Sequence, residues 1–185
     1  MAMDLREYFR MKCTEMLAAE REILQMNDMM AGEVQNPQVK GLFQQHSTPT
    51  KQQISNLEQI LNKYGGPSER DEGMLKKLED ALGMQAAGKG TPVTHAMARM
   101  HMMVKGMNPD QKLTDLNDLL EGGEVEHFEI AQYEGLIALA KMLGDNDSAR
   151  MLQENLNGEQ QALTQIQMML PMLISNISGP GSMAA

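Results

Sequence analysis

Apolar residues recur at three- and four-residue spacing along most of the chain, and no stretch alternates with the period of two that a half-buried strand requires. Leu5, Tyr8, Phe9, Met16, Ile23 and Met30 sketch the inward face of a first helix, from Asp4 to about Met30, with Glu20 on or beside that stripe and Gly32 as its stop. Asn36-Pro37 reads as an N-cap followed by proline at N1 and opens a second helix that Gly65-Gly66-Pro67 closes after Tyr64. Val39, Leu42, Phe43, Ile54, Leu57, Ile60 and Leu61 keep helical spacing on both sides of Pro49, which predicts a kink near residues 45–49 and no break. Met74, Leu75, Leu78 and Leu82 make a short amphipathic helix, GMQAAGKG a loop, and residues 93–107 a second short helix ended by Asn108-Pro109.

The third long helix begins at Thr114 or Asp115, contains Gly122-Gly123 as a bulge or a close helix crossing, and stops at Gly144. The last runs from Asp147 or Ser148 to Ile174, weakened near its end by Pro171, with Ala149, Leu152, Leu156, Leu163, Ile166, Met169 and Leu170 inward. The pattern predicts an all-α protein: a four-helix bundle with two short helices inserted between long helices 2 and 3. That insertion lets the second and third long helices run parallel, the long-crossover arrangement of ferritin-like bundles. One domain of 1–176 and a disordered tail of 177–185 complete the expectation.

Chemistry concentrates in residues 124–144. Val125, Phe128, Ile130, Leu136, Ile137, Leu139, Ala140 and Leu143 form a broad stripe, and Glu126, Glu129 and Tyr133 sit among those positions, three and four residues apart on one side of the helix. Carboxylates and a phenol on a half-buried face need hydrogen bonds, counter-charges or a metal. His127 points about 100° away from Glu126 and is expected to cap or to contact a partner.

Composition narrows the function classes. A net charge of −9 argues against nucleic acid and anionic membranes as partners, and no run of about 18 apolar residues exists to span a bilayer. The N-terminus lacks the apolar core of a secretory signal, and the lone Cys13, with no paired histidine motif, fits a reducing cytoplasm better than a nucleophile or a disulfide. Methionine reaches 20 residues while tryptophan is absent, so flexible thioethers are expected to fill core gaps that aromatics usually fill. A Cu(I) site at Met97, Met100, Met103 and Met107 with His95 and His101 is a sharper alternative. The helix through Met97 and Met107 is also a candidate docking surface for a protein partner. His95 and His101, six residues apart, are expected at the surface or an interface.

The segment VEHFEIAQYEGLIALAKMLG, with AAEREIL in the first helix, FQQHSTPTKQQISNLEQIL in the second and NLNGEQQALTQI in the last, resembles the YciE/YciF-like branch of ferritin-like proteins. The resemblance spans nearly the whole chain and is most specific over residues 125–133. It implies a bundle, usually a homodimer, associated in bacteria with general stress responses. It also implies inward metal ligands, with Glu20, Glu129 and Glu159 contributed by the first, third and last long helices. Against that pattern, the glutamate expected before Thr50 is replaced by Pro49, with Gln53 left as a neutral donor. The acid expected three residues after Glu159 is Ala162, and Val104 and Lys105 stand where another acid is usual. His46 and Glu126, each one turn before an expected ligand position, offer partial compensation, although His46 reads first as a satisfied structural histidine. The departures favour a degenerate dinuclear site with no cofactor, in a stress-associated protein that works as a structural or interaction module. The alternative is a dinuclear Fe or Mn carboxylate protein handling oxygen or peroxide.

Overall fold

A computed structural model describes residues 3–67, 73 and 91–177. Five helices are defined among them: α1 (Leu5–Glu33), α2 (Pro37–Lys63), α3 (Pro92–Gly106), α4 (Gln111–Met142) and α5 (Asn146–Ile177), with no strand among the described residues. Each long helix starts where side chains satisfy the orphan amides of its first turn. Asp4 and Glu7 form a reciprocal capping box on α1, and Asn36 Oδ1 accepts from Gln38 N at 2.9 Å to start α2. Asp110 Oδ1 accepts from Leu113 N at 3.0 Å, so α4 begins at Gln111, a turn earlier than Thr114 or Asp115, because the residue after Pro109 is itself a good cap. Pro49 leaves α2 continuous, and Pro171 lies inside α5, which extends past Ile174 to Ile177. The proposed short helix with Met74, Leu75, Leu78 and Leu82, the loop after it and the tail from residue 178 lie outside the described residues.

Two buried aspartates at opposite ends report the topology. Asp115, at the start of α4, accepts from Gln35 N at 3.0 Å and Asn36 N at 2.9 Å in the α1–α2 turn. Asp145, between α4 and α5, accepts from Lys63 Nζ at 2.6 Å and Tyr64 Oη at 2.8 Å at the end of α2, and from Ser148 N at 3.1 Å. The beginnings of α2 and α4 therefore meet, as do their ends: the two helices run parallel, and the chain between them crosses the length of the bundle. This is the long-crossover, ferritin-like four-helix bundle. Its helices pack chiefly as α1 with α2 and α4 with α5.

The core runs the length of the bundle through Phe9, Met16, Ile23, Leu57, Ile60, Leu119, Leu136 and Leu152. Met16, Met26 and Met30 fill it as aromatics would, whereas Met100, Met102 and Met103 on α3, and Met107 just after it, face outward. Gly122 marks a close approach, since a Cβ there would stand 3.1 Å from Phe43 Cε1. Gly122→Val should therefore overpack the α2–α4 crossing and cost about 1–3 kcal/mol. Gly135→Ala, at an exposed helical position with nothing within 4 Å, should stabilise by about 0.5–1 kcal/mol. Urea denaturation of both variants checks the pair, and a neutral Gly122→Val would contradict the packing described.

Candidate metal centre

Midway along the bundle the four long helices turn polar side chains toward one another. Helical spacing puts Glu20 of α1, His46, Thr50 and Gln53 of α2, Glu126, Glu129 and Tyr133 of α4, and Asn155 and Glu159 of α5 in the interior, all buried. His46, Glu126, Glu129 and Glu159 each offer one ligand atom, and these atoms lie within 4.8 Å of one another. His46 Nε2 is 3.4 Å from Glu126 Oε1 and 3.5 Å from Glu159 Oε2.

The surroundings are donors that hold some oxygens and leave others free. Tyr133 Oη donates to Glu20 Oε1, and Asn155 Nδ2 donates to Tyr133 Oη at 3.1 Å. Asn56 Nδ2 in turn donates to Asn155 Oδ1 at 2.7 Å, so a chain of oriented amides ends on the phenol and Glu20. Gln53 Nε2 donates to Glu159 Oε1. Among the described residues no hydrogen-bond partner reaches Glu20 Oε2, Glu126 Oε2, Glu159 Oε2, His46 Nε2 or either oxygen of Glu129. His46 is thus not the satisfied structural histidine that its position suggested; the ring is buried with its Nε2 aimed at carboxylates. His127, by contrast, is exposed on the other side of α4.

Burial, then mutual repulsion among the carboxylates, pushes Glu20, Glu126 and Glu129 well above the ordinary range. Burial raises Glu159 to about 7 and lowers His46 to about 4. Burial, then the charge of Glu20, raises Tyr133 as well, keeping the phenol protonated as a donor.

A cavity of about 140 Å³ leads into this layer, from exposed Gln45, Gln161 and Gln165 down to buried His46 and Glu126. Pro49 and Ala162 line it. The two positions where the family pattern expects acids are therefore part of an opening that reaches the cluster.

The copper reading is not supported by the geometry. Met100, Met103 and Met107 are exposed, while His95 and His101 are 8% and 2% exposed and face acidic residues. Both histidines, expected at the surface or an interface, lie where α3 meets the bundle. They are buried because α3 lies against the bundle on the face that carries them. A second group, His101, Asp118 and Glu121, also brings ligand atoms within 4.8 Å of one another. Sequence reasoning missed it, although Asp118 and Glu121 repeat the i, i+3 spacing of Glu126 and Glu129 on the same helix.

The family described as Domain of unknown function (DUF892) matches the chain over residues 4–102 and 73–177. Three solved structures share the fold. YcfI from Rhodopseudomonas palustris, described as a candidate structural protein, is 25% identical with a TM-score of 0.72, covering 89% of this chain and 94% of its own. The Escherichia coli stress protein YciF is 18% identical with a TM-score of 0.75, covering 94% and 98%. A protein of Xanthomonas campestris is 19% identical with a TM-score of 0.67, covering 92% of each chain.

The raised carboxylates set a pH dependence for metal-free protein. Above pH 4.5 the unfolded chain releases protons that the folded cluster keeps, so stability falls as pH rises toward about 7, where Glu159 ionises. His46, lowered from 6.5 to about 4, acts in the opposite sense below pH 6.5, one group against four. Chelator-treated protein should unfold at lower urea at pH about 8 than at about 5.5, and equal midpoints would contradict a buried, metal-free carboxylate cluster.

Proposed function

The chain belongs to the DUF892 family, and on that footing we propose that it is a stress-associated bundle protein whose core holds a single divalent iron or manganese ion. The observation that carries this reading is Glu129, fully buried on α4 with neither oxygen partnered among the described residues, beside the unpartnered Nε2 of His46. A carboxylate in that position is stabilised by a cation or by a proton.

The residues present fit one ion better than two. Ligands about 2.1 Å from a common centre stand no more than about 4.2 Å apart, and one ligand atom each from His46, Glu126, Glu129 and Glu159 lies within 4.8 Å of the others. Mixed imidazole and carboxylate donors suit Fe and Mn. Pro49 and Ala162 supply no acid for a second ion, and Glu20 is engaged by Tyr133 on one oxygen. Gln53 holds Glu159 by its Oε1 and leaves Oε2 for coordination. The cavity gives an entry path that ends on His46 and Glu126.

When bound, such an ion would supply Lewis acidity and one-electron chemistry toward a small molecule entering through the cavity. The chain's own contribution is orientation: the Asn56–Asn155–Tyr133 series fixes Glu20, and Gln53 fixes Glu159. This proposal differs from the leading sequence reading, a degenerate site in a structural module, in giving the module one ion. The same proposal keeps the protein in the cytoplasm as a homodimer, with the outward methionines of α3 available to a protein partner. No helix among the described residues is long and apolar enough to cross a membrane.

Mass spectrometry of protein made with iron and manganese supplied should find about one ion per chain, and less than about 0.2 would end the proposal. Glu129→Gln and His46→Ala should each remove the ion while leaving the helical content intact. With the ion at about 100 times its dissociation constant, the native chain should gain about 2.7 kcal/mol over the metal-free form.

A further inference from the structure

The inserted helix α3 rests on the bundle over a second set of ligand-type side chains, drawn from α1, α3 and α4 and separate from the core cluster. His101 of α3 is 2% exposed and points between Glu33, at the end of α1, and Asp118 and Glu121 on α4. Its Nε2 lies 3.2 Å from Glu33 Oε2, and its Nδ1 lies 2.7 Å from Glu121 Oε2 and 3.7 Å from Asp118 Oδ1. Lys105 Nζ donates to Glu33 Oε1, and Asn117 Nδ2 donates to Glu121 Oε1 at 2.8 Å. Asp118 is 1% exposed, and neither of its oxygens has a hydrogen-bond partner among the described residues.

A doubly protonated imidazole could serve Glu33 and Glu121, but it has no third N–H for Asp118. A cation shared by Asp118, Glu121 and the imidazole nitrogen between them satisfies all three. We propose that His101 Nδ1, Asp118 and Glu121 hold a divalent ion of the zinc class that fastens α3 to the bundle.

Glu33 completes the arrangement. By accepting from Nε2–H it fixes the tautomer that leaves the Nδ1 lone pair facing the two carboxylates, as metal-bound histidines are commonly oriented by a carboxylate behind them. Lys105 offsets the charge of Glu33, so the ligands present a charge of −2 to a 2+ ion. One imidazole with two carboxylates selects zinc-like ions over magnesium or calcium, and three protein ligands leave a fourth position for water. The ion has a mechanical role to fill. Met97 and Ala98 are the hydrophobic residues of α3 packed against the core, and both are only partly buried. The buried residues described on α3 are the polar Thr94, His95 and His101.

The test is a Zn(II) titration of the metal-free full-length chain against a chromophoric chelator, repeated with Co(II) for its absorption bands. Two classes of site are expected. Asp118→Asn and His101→Gln should abolish one class and spare the other, and Glu33→Gln should weaken that same class about 10–100-fold. Glu129→Gln combined with Glu159→Gln should remove only the core class. Zn(II) should also slow amide exchange in residues 92–106 of the native chain but not of Asp118→Asn. Unchanged Zn(II) binding and exchange in Asp118→Asn would overturn the proposal; that variant leaves the core intact, so the outcome does not depend on the core double variant folding. A single class lost in Asp118→Asn but kept in Glu129→Gln would uphold this site and remove the core one.

Discussion

Four carboxylates share one layer of the bundle, and among the described residues no lysine or arginine is buried anywhere to balance them. Everything around that layer follows from the imbalance. The neighbours are neutral donors, Tyr133, Gln53, Asn155 and Asn56, which steady particular oxygens without cancelling charge. An apolar layer of similar volume would hold the helices together at less cost, so the carboxylates are not there for packing. What remains unbalanced is a compact set of oxygens and one imidazole nitrogen, which shared protons or the proposed cation would satisfy.

The same layer shows how small residues make large ones effective. Gly158, one residue before Glu159, leaves space in which Gln53 lies, since a Cβ there would be 3.1 Å from Gln53 Nε2. The amide can therefore reach across from α2 to α5. Pro49 and Ala162 work in the opposite way. Being apolar, they line a way in from solvent without adding a ligand.

Helix boundaries, inward faces and the parallel relation of α2 and α4 were legible because three- and four-residue periodicity, caps and the long insertion all point the same way. Glu20 and Glu129 were legible as well, on or beside apolar stripes where charge is out of place, whereas Glu159 was legible only through the family resemblance. The joint at His101 was not. Starting α4 at Thr114 or Asp115 put Asp115 at the helix end, which hid a continuous inward row of Asp115, Asp118, Gly122, Glu126, Glu129 and Tyr133 at heptad-like spacing. His101 looked superficial because its own helix is short and flanked by methionines. Its burial comes from Glu33 and Glu121 on other helices, and contacts between residues 20 to 68 positions apart leave no local signature.

The crossing connection between α2 and α4 also orders events in time. The α1–α2 and α4–α5 pairs are local hairpins with short turns, which close quickly, whereas joining one pair to the other needs contacts of high sequence separation and is slow. Glu20, His46 and Gln53 belong to the first hairpin; Glu126, Glu129 and Glu159 belong to the second. Neither hairpin carries a complete cluster, and each brings acids toward the other's acids as they dock. The final closure of the bundle is consequently the step at which repulsion is felt, and it is also the step that creates a place for an ion. The proposed cation, arriving then, would act on the rate of assembly as well as on its endpoint.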